Sequence, residues 1–139
     1  RDPPLGPEPD PPDDMGAVSR TRPSRLALGK AGEKAAAELL RKRGYEVVGA
    51  GFLARRGELD LVCRRGSDLV VVEVKTRTDD SFGTPLEAVG TKKRRALMAA
   101  AAEYRALADW RGRIRYAVVG LIVKADGSFT SELIEDPFD

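Results

Sequence analysis

Two strand-like runs, GELDLVCRR at residues 57–65 and DLVVVEVKTR at residues 68–77, are separated only by Gly66 and Ser67. Glycine at the first central position of a two-residue loop suits a type II′ turn, so the pair reads as a β-hairpin. Such a turn sets a register in which the numbers of opposed residues sum to 133, as 66 and 67 do. Leu59, Leu61 and Cys63 then fall opposite Val74, Val72 and Val70, and alternation along the strands makes one face wholly apolar. The same register sets Asp60 across from Glu73, and Glu58 across from Lys75.

Like charges directly opposed in an antiparallel pair repel. Two carboxylates that close, with Lys75 two residues along the same face, form an arrangement that a divalent cation would stabilise. The plain alternative is a solvated face on which Glu58 and Lys75 make a surface pair worth under about 1 kcal/mol. Val62, Leu69 and Val71 share that face and predict that part of it is covered, which favours a site.

The chain has no histidine and one cysteine, Cys63. A Cys/His zinc site, an internal disulfide and histidine-based nucleophilic catalysis are therefore excluded. Any chemistry must run on carboxylates, lysine, hydroxyl groups or a hard metal. At 139 residues with 42% apolar content, the chain suffices for one core. No apolar run nears the roughly 18 residues needed to span a bilayer, and none has signal-peptide character, so the expected location is the cytoplasm, without a membrane partner.

Residues 1–24 are expected to be a disordered Pro/Asp-rich tail, and residues 25–139 a single domain. The first fourteen residues hold five acids against Arg1, a charge of −4 that leaves +6 on the remainder of a chain whose total is +2. In LALGKAGEKAAAELLRKRGY, Leu28, Ala31, Ala35, Ala36, Leu39 and Leu40 lie on one arc of a helix, which Gly44 is placed to end. Glu33 sits at the margin of that arc, where by itself it reads as a helix-start glutamate facing the dipole.

YEVVGAGFLA reads as a short strand leading through Gly49 and Gly51 into a second segment. TKKRRALMAAAAEYRAL has an apolar helical face made by Ala96, Leu97, Ala100, Ala101, Tyr104 and Leu107. Its first turns carry Lys92, Lys93, Arg94 and Arg95, although cations at a helix start oppose the dipole. Phosphate binding would compensate for that arrangement, with an ordinary solvated helix start as the alternative. Arg55, Arg56, Arg64, Arg65 and Arg77 lie near the hairpin site by sequence and extend the argument less strongly. Phe82 and Tyr45 are assigned to packing, and Trp110 to closing the helix end. Two further strands, from about Ile114 to Lys124 and from Ser128 to Ile134, flank a turn at residues 125–127. The order αβββαββ predicts an α/β sandwich with a mixed central sheet flanked by helices.

Five motifs, GKAGEKAA, GELDLV, VEVKTR, FGTPLEAV and KKRRALMAAA, cover about Gly29 to Val123. Together they resemble the YraN-like family of small bacterial proteins within the PD-(D/E)xK nuclease superfamily, which is similar to Holliday-junction resolvases. The resemblance implies a restriction-endonuclease-like fold in which Asp60 and Glu73 hold Mg²⁺, with Mn²⁺ able to substitute. It also implies that Lys75 orients or deprotonates water and that Glu33 completes the catalytic set Glu33, Asp60, Glu73 and Lys75. The expected substrate is nucleic acid, most simply branched or structured DNA, gripped by Arg55, Arg56, Arg77, Lys92, Lys93, Arg94 and Arg95. A two-fold symmetric junction would suit a homodimer. The chain departs from the family pattern at Gly51, Phe52 and Leu53, where an Asn-aromatic-Arg stretch is usual, and at Arg115, Tyr116 and Ala117, where Arg-Phe-Asp is usual. The second expectation, of another class, is a nucleic-acid-binding or partner-recognition module that keeps the nuclease fold without turnover.

Overall fold

The computed structural model describes residues 25–78 and 89–138. Helix α1 spans Arg25–Lys42, and strands β1 (Glu46–Leu53), β2 (Glu58–Arg65) and β3 (Asp68–Thr78) follow. Helix α2 (Thr91–Ala108) then leads to strands β4 (Ile114–Val123) and β5 (Phe129–Glu135). The strands form one sheet in the order β1-β2-β3-β4-β5, antiparallel except for the parallel pair β3–β4. The expected αβββαββ order and mixed sheet are what the structure shows. Most of the FGTPLEAV motif, Phe82 included, and the N-terminal tail lie outside the described residues.

Helix α1 covers one sheet face, where Ala36 and Leu40 pack with Leu61, Cys63, Val70, Val72, Val119 and Leu121. Helix α2 covers the other, where Leu97, Ala100 and Ala101 meet Leu59, Val62, Leu69 and Val71. Each fully buried Leu or Val contributes on the order of 1.5–3 kcal/mol, so both layers are needed to hold the sheet between its helices. The seam of α1 is Gly32, Ala36 and Leu40, spaced by four, and Ala31 is exposed, so the predicted arc is rotated. A Cβ at Gly32 would lie 2.1 Å from Thr76 Oγ1, so only glycine lets this turn of α1 approach β3 so closely. Leu107, expected on the apolar face of α2, is 72% exposed.

Gly66 adopts φ +63° while Ser67 is absent from the positive-φ residues, as a type II′ turn requires. The β2–β3 ladder follows the expected register from Arg65↔Asp68 to Leu61↔Val72. Instead of breaking after a short first strand, β1 continues through a bulge between Val47 and Gly49. Ala117 is buried in the apolar layer beneath α1, where a charged side chain would be costly.

Candidate active site

The expected pairings Asp60↔Glu73 and Glu58↔Lys75 do not form. Ladder pairing between β2 and β3 ends at Leu61↔Val72, whereas β2 stays paired with β1 through Phe52↔Leu59 and Leu53↔Glu58. Alternation also breaks here, because Leu59 joins the layer under α2 while Leu61 joins the layer under α1. Leu59 therefore does not share the apolar face with Leu61 and Cys63, as simple alternation would have it. Beyond Leu61↔Val72, β2 keeps its ladder with β1 and has none with β3, so the hydrogen bonding of the sheet opens between β2 and β3 at Asp60.

A strand that loses its neighbour must satisfy its backbone groups elsewhere. The Val74 N–H donates to Asp60 Oδ2 at 2.8 Å, so the Asp60 side chain replaces the missing carbonyl and is fixed in the opening. Strand β3 is held from its other edge, where Glu73↔Val118 and Lys75↔Gly120 belong to an unbroken parallel ladder with β4. Gly57 lets α2 approach the start of β2, since a Cβ there would sit 3.0 Å from the Ala96 carbonyl oxygen.

Glu73 is the one buried charged side chain among the described residues, at 2% exposure. Its Oε2 forms an ion pair with Lys93 Nζ of α2 at 3.2 Å, and its Oε1 is buried without a hydrogen-bond partner among the described residues. Burial, and then the Asp60 carboxylate, push the Glu73 acid up to about 7 against the lowering pull of Lys93 and Lys75. Glu33 reaches the same neighbourhood from α1: burial, then Asp60 and Glu58, raise its acid above the usual glutamate value. Asp60 of β2 is thus within electrostatic range both of Glu33 on α1 and of Glu73 on β3, and Glu73 is within range of Lys75 on the same strand.

The expected basic residues divide. Lys92 and Arg95 are exposed on the first turns of α2, and Arg55 and Arg56 are exposed in the connection from β1 to β2. Arg55 is anchored by its backbone N–H, which donates to Glu103 Oε2 at 3.2 Å. Lys93 is turned to Glu73, and Arg94 lies over the Phe138 ring at 4.7 Å. Arg77 lies on β3 beyond Lys75, half-buried.

Arg64 and Arg65 are corrected: both stand at the far end of β2 from Asp60. Arg64 covers the Trp110 ring, and Arg65 joins the Tyr45 hydroxyl and Glu135 in a network below α1. Tyr45 is a core residue, and Trp110 closes the α2 end, its Nε1–H donating to the Arg113 carbonyl. Sequence reasoning named Arg115 only in comparison with the family pattern and gave it no role; it pairs with Asp136 and Asp68 and ties β4 to the start of β3 and the end of β5. Its acidic partners are far away in sequence, so no local signal announces them.

Among the described residues no group of three or more acidic, histidine or cysteine side chains is gathered closely enough to hold a metal by itself. A hard cation such as Mg²⁺ needs only one or two carboxylates, with water and phosphate completing its shell. Asp60 and Glu73 fit that requirement: both offer oxygen, and the buried Glu73 Oε1 has no other partner.

The profile of a family described as "Uncharacterised protein family UPF0102" matches residues 32–121. The chain belongs to the UPF0102 family. This is the YraN family of the resemblance above. A UPF0102 protein of Syntrophomonas wolfei is 41% identical over 108 residues, covering 77% of this chain and 94% of the relative. UPF0102 proteins of Symbiobacterium thermophilum and Rhodococcus opacus are 41% and 38% identical, over 80% and 81% of this chain and 95% and 97% of their own lengths. The matched segment includes Glu33, Asp60, Glu73, Lys75 and the basic start of α2. No helix among the described residues is long and apolar enough to cross a membrane.

Proposed function

We propose that this UPF0102 protein is a metal-dependent endonuclease that hydrolyses phosphodiester bonds, with branched or structured DNA as the preferred substrate class. The observation that carries this reading is the buried Glu73 carboxylate, with one oxygen unpartnered, beside Asp60 where the sheet opens. A structural ion pair has no need of a second carboxylate beside it, and burying one charge with incomplete partners is costly. Such expense is common where a site must accept a cation and a reacting group.

Asp60 and Glu73 would hold Mg²⁺ or Mn²⁺. When bound, the ion would polarise a phosphate oxygen and make water more acidic. Lys75, two residues beyond Glu73 on the same strand, would place positive charge near the attacking oxygen and hold the water in line. Glu33 would accept a hydrogen bond from that water or from the reacting phosphate's shell, and its raised acid suits proton handling. Lys92 and Arg95 would grip the backbone phosphates, with Arg55 and Arg56 beside the opening of the sheet.

Isothermal titration with Mn²⁺ tests the cation site. The native chain should bind, and Asp60→Asn combined with Glu73→Gln should not. Equal binding by both proteins would remove the proposed ligand pair and leave the recognition-module reading in possession.

A further inference from the structure

The basic start of α2 is uneven. Four consecutive cations open the helix, with no acid in its first turn and no side-chain cap at Gly90. Among the described residues, Lys93 is the one of these four that is drawn to a buried acid: its Nζ lies 3.2 Å from Glu73 Oε2. The two ends of this ion pair differ sharply, since the Lys93 side chain is 44% exposed and that of Glu73 only 3%. Glu73 is fixed by the β3–β4 ladder, whereas Lys93 reaches it on a flexible four-carbon stem from the solvent side. Glu73 Oε1, on the same carboxylate, has no hydrogen-bond partner among the described residues.

An ammonium in this position occupies the carboxylate that a divalent cation would use. Both cannot remain close to Glu73 without strong mutual repulsion, and only the lysine is free to leave. Once displaced, its ammonium points with Lys92 and Arg95 into solvent, where a polyanion would meet it. We infer that Lys93 is an exchangeable counter-ion: it holds Glu73 while no divalent cation does, and cation binding releases it to contact substrate phosphate. This rests on the reading of Asp60 and Glu73 as cation ligands. Cation and phosphate binding are then coupled, each favouring the other through one side chain.

The test compares the native chain, Lys93→Met, Lys92→Met and Glu73→Gln by Mn²⁺ titration calorimetry, with thermal melts to confirm folding. Lys93→Met should tighten the Mn²⁺ dissociation constant by about fivefold or more, as expected for loss of a partly buried competing ion pair. Lys92→Met, which removes the neighbouring charge without the contact, should change it less than about twofold. In a second arm, fluorescence anisotropy with a labelled DNA duplex is read with and without Ca²⁺, used as a cation that supports little hydrolysis. Ca²⁺ should strengthen DNA binding by the native chain and do so less for Lys93→Met.

Unchanged or weaker Mn²⁺ binding in Lys93→Met, with native binding abolished by Glu73→Gln, overturns the exchange while leaving the cation site standing. Equal tightening by Lys92→Met and Lys93→Met also overturns it, since a general field would then suffice. Failure of the native chain to bind Mn²⁺ removes the cation site and the exchange together.

Discussion

Replacing Glu73 by Gln should stabilise the metal-free protein at alkaline pH. Glu73 is 2% exposed, and its acid is pushed from 4.5 to about 7, chiefly by burial and secondly by Asp60. The folded state therefore holds this proton more tightly than the unfolded chain does. Its contribution to stability is full below 4.5 and is lost as pH rises toward 7. At 1.36 kcal/mol per pH unit, the interval corresponds to about 3 kcal/mol, already reduced by the favourable pull of Lys93 and Lys75. Gln is nearly isosteric and carries no charge, so the variant should exceed the native protein by about 2–3 kcal/mol at pH 8 and match it near pH 5. Urea unfolding in EDTA at pH 5, 6, 7 and 8 measures the difference directly. Equal stability at pH 8, or an advantage that grows toward acid, would refute the account of a costly buried carboxylate. Saturating Mn²⁺ should narrow the gap by stabilising the native protein alone.

Asp60→Ala should cost about 1–3 kcal/mol in chemical denaturation, because the Val74 N–H loses its acceptor. Asp60→Asn keeps a carbonyl there and should remain within about 1 kcal/mol of native while losing Mn²⁺ binding, which separates support of the strand from cation binding. Gly32→Ala should destabilise by about 1–3 kcal/mol in the same assay, because its Cβ would collide with Thr76 Oγ1. Adding Thr76→Ala should recover part of that loss, and strict additivity of the two changes would exclude the collision. Leu40→Ala, at a fully buried position of α1, should cost about 2–5 kcal/mol and lower the melting temperature accordingly.

Much of the sheet was legible because its strongest signals are local. Gly66-Ser67 permits one tight hairpin, and that turn alone dictates the register seen from Arg65↔Asp68 to Leu61↔Val72. The break beyond that point was not legible. Leu59, Leu61 and Cys63 alternate in sequence as if on one face, and nothing local shows that β2 follows β1 while abandoning β3 at Asp60. Glu33 and Lys93 reach the site only through helix docking, which depends on Gly32 against Thr76 and Gly57 against Ala96. Those are contacts between distant segments, and a helical wheel cannot display them. The same limit explains Leu107, since periodicity defines a helix face and not where the layer beneath it ends.

The most direct measurement is cleavage of labelled branched, flapped, duplex and single-stranded DNA and RNA in Mg²⁺ or Mn²⁺, by the native chain, Glu73→Ala and Lys75→Ala. The account predicts metal-dependent cutting by the native chain, favouring branched or structured DNA, that is abolished in both variants. Binding of these substrates without any metal-dependent cutting, or cutting that survives both substitutions, would contradict it.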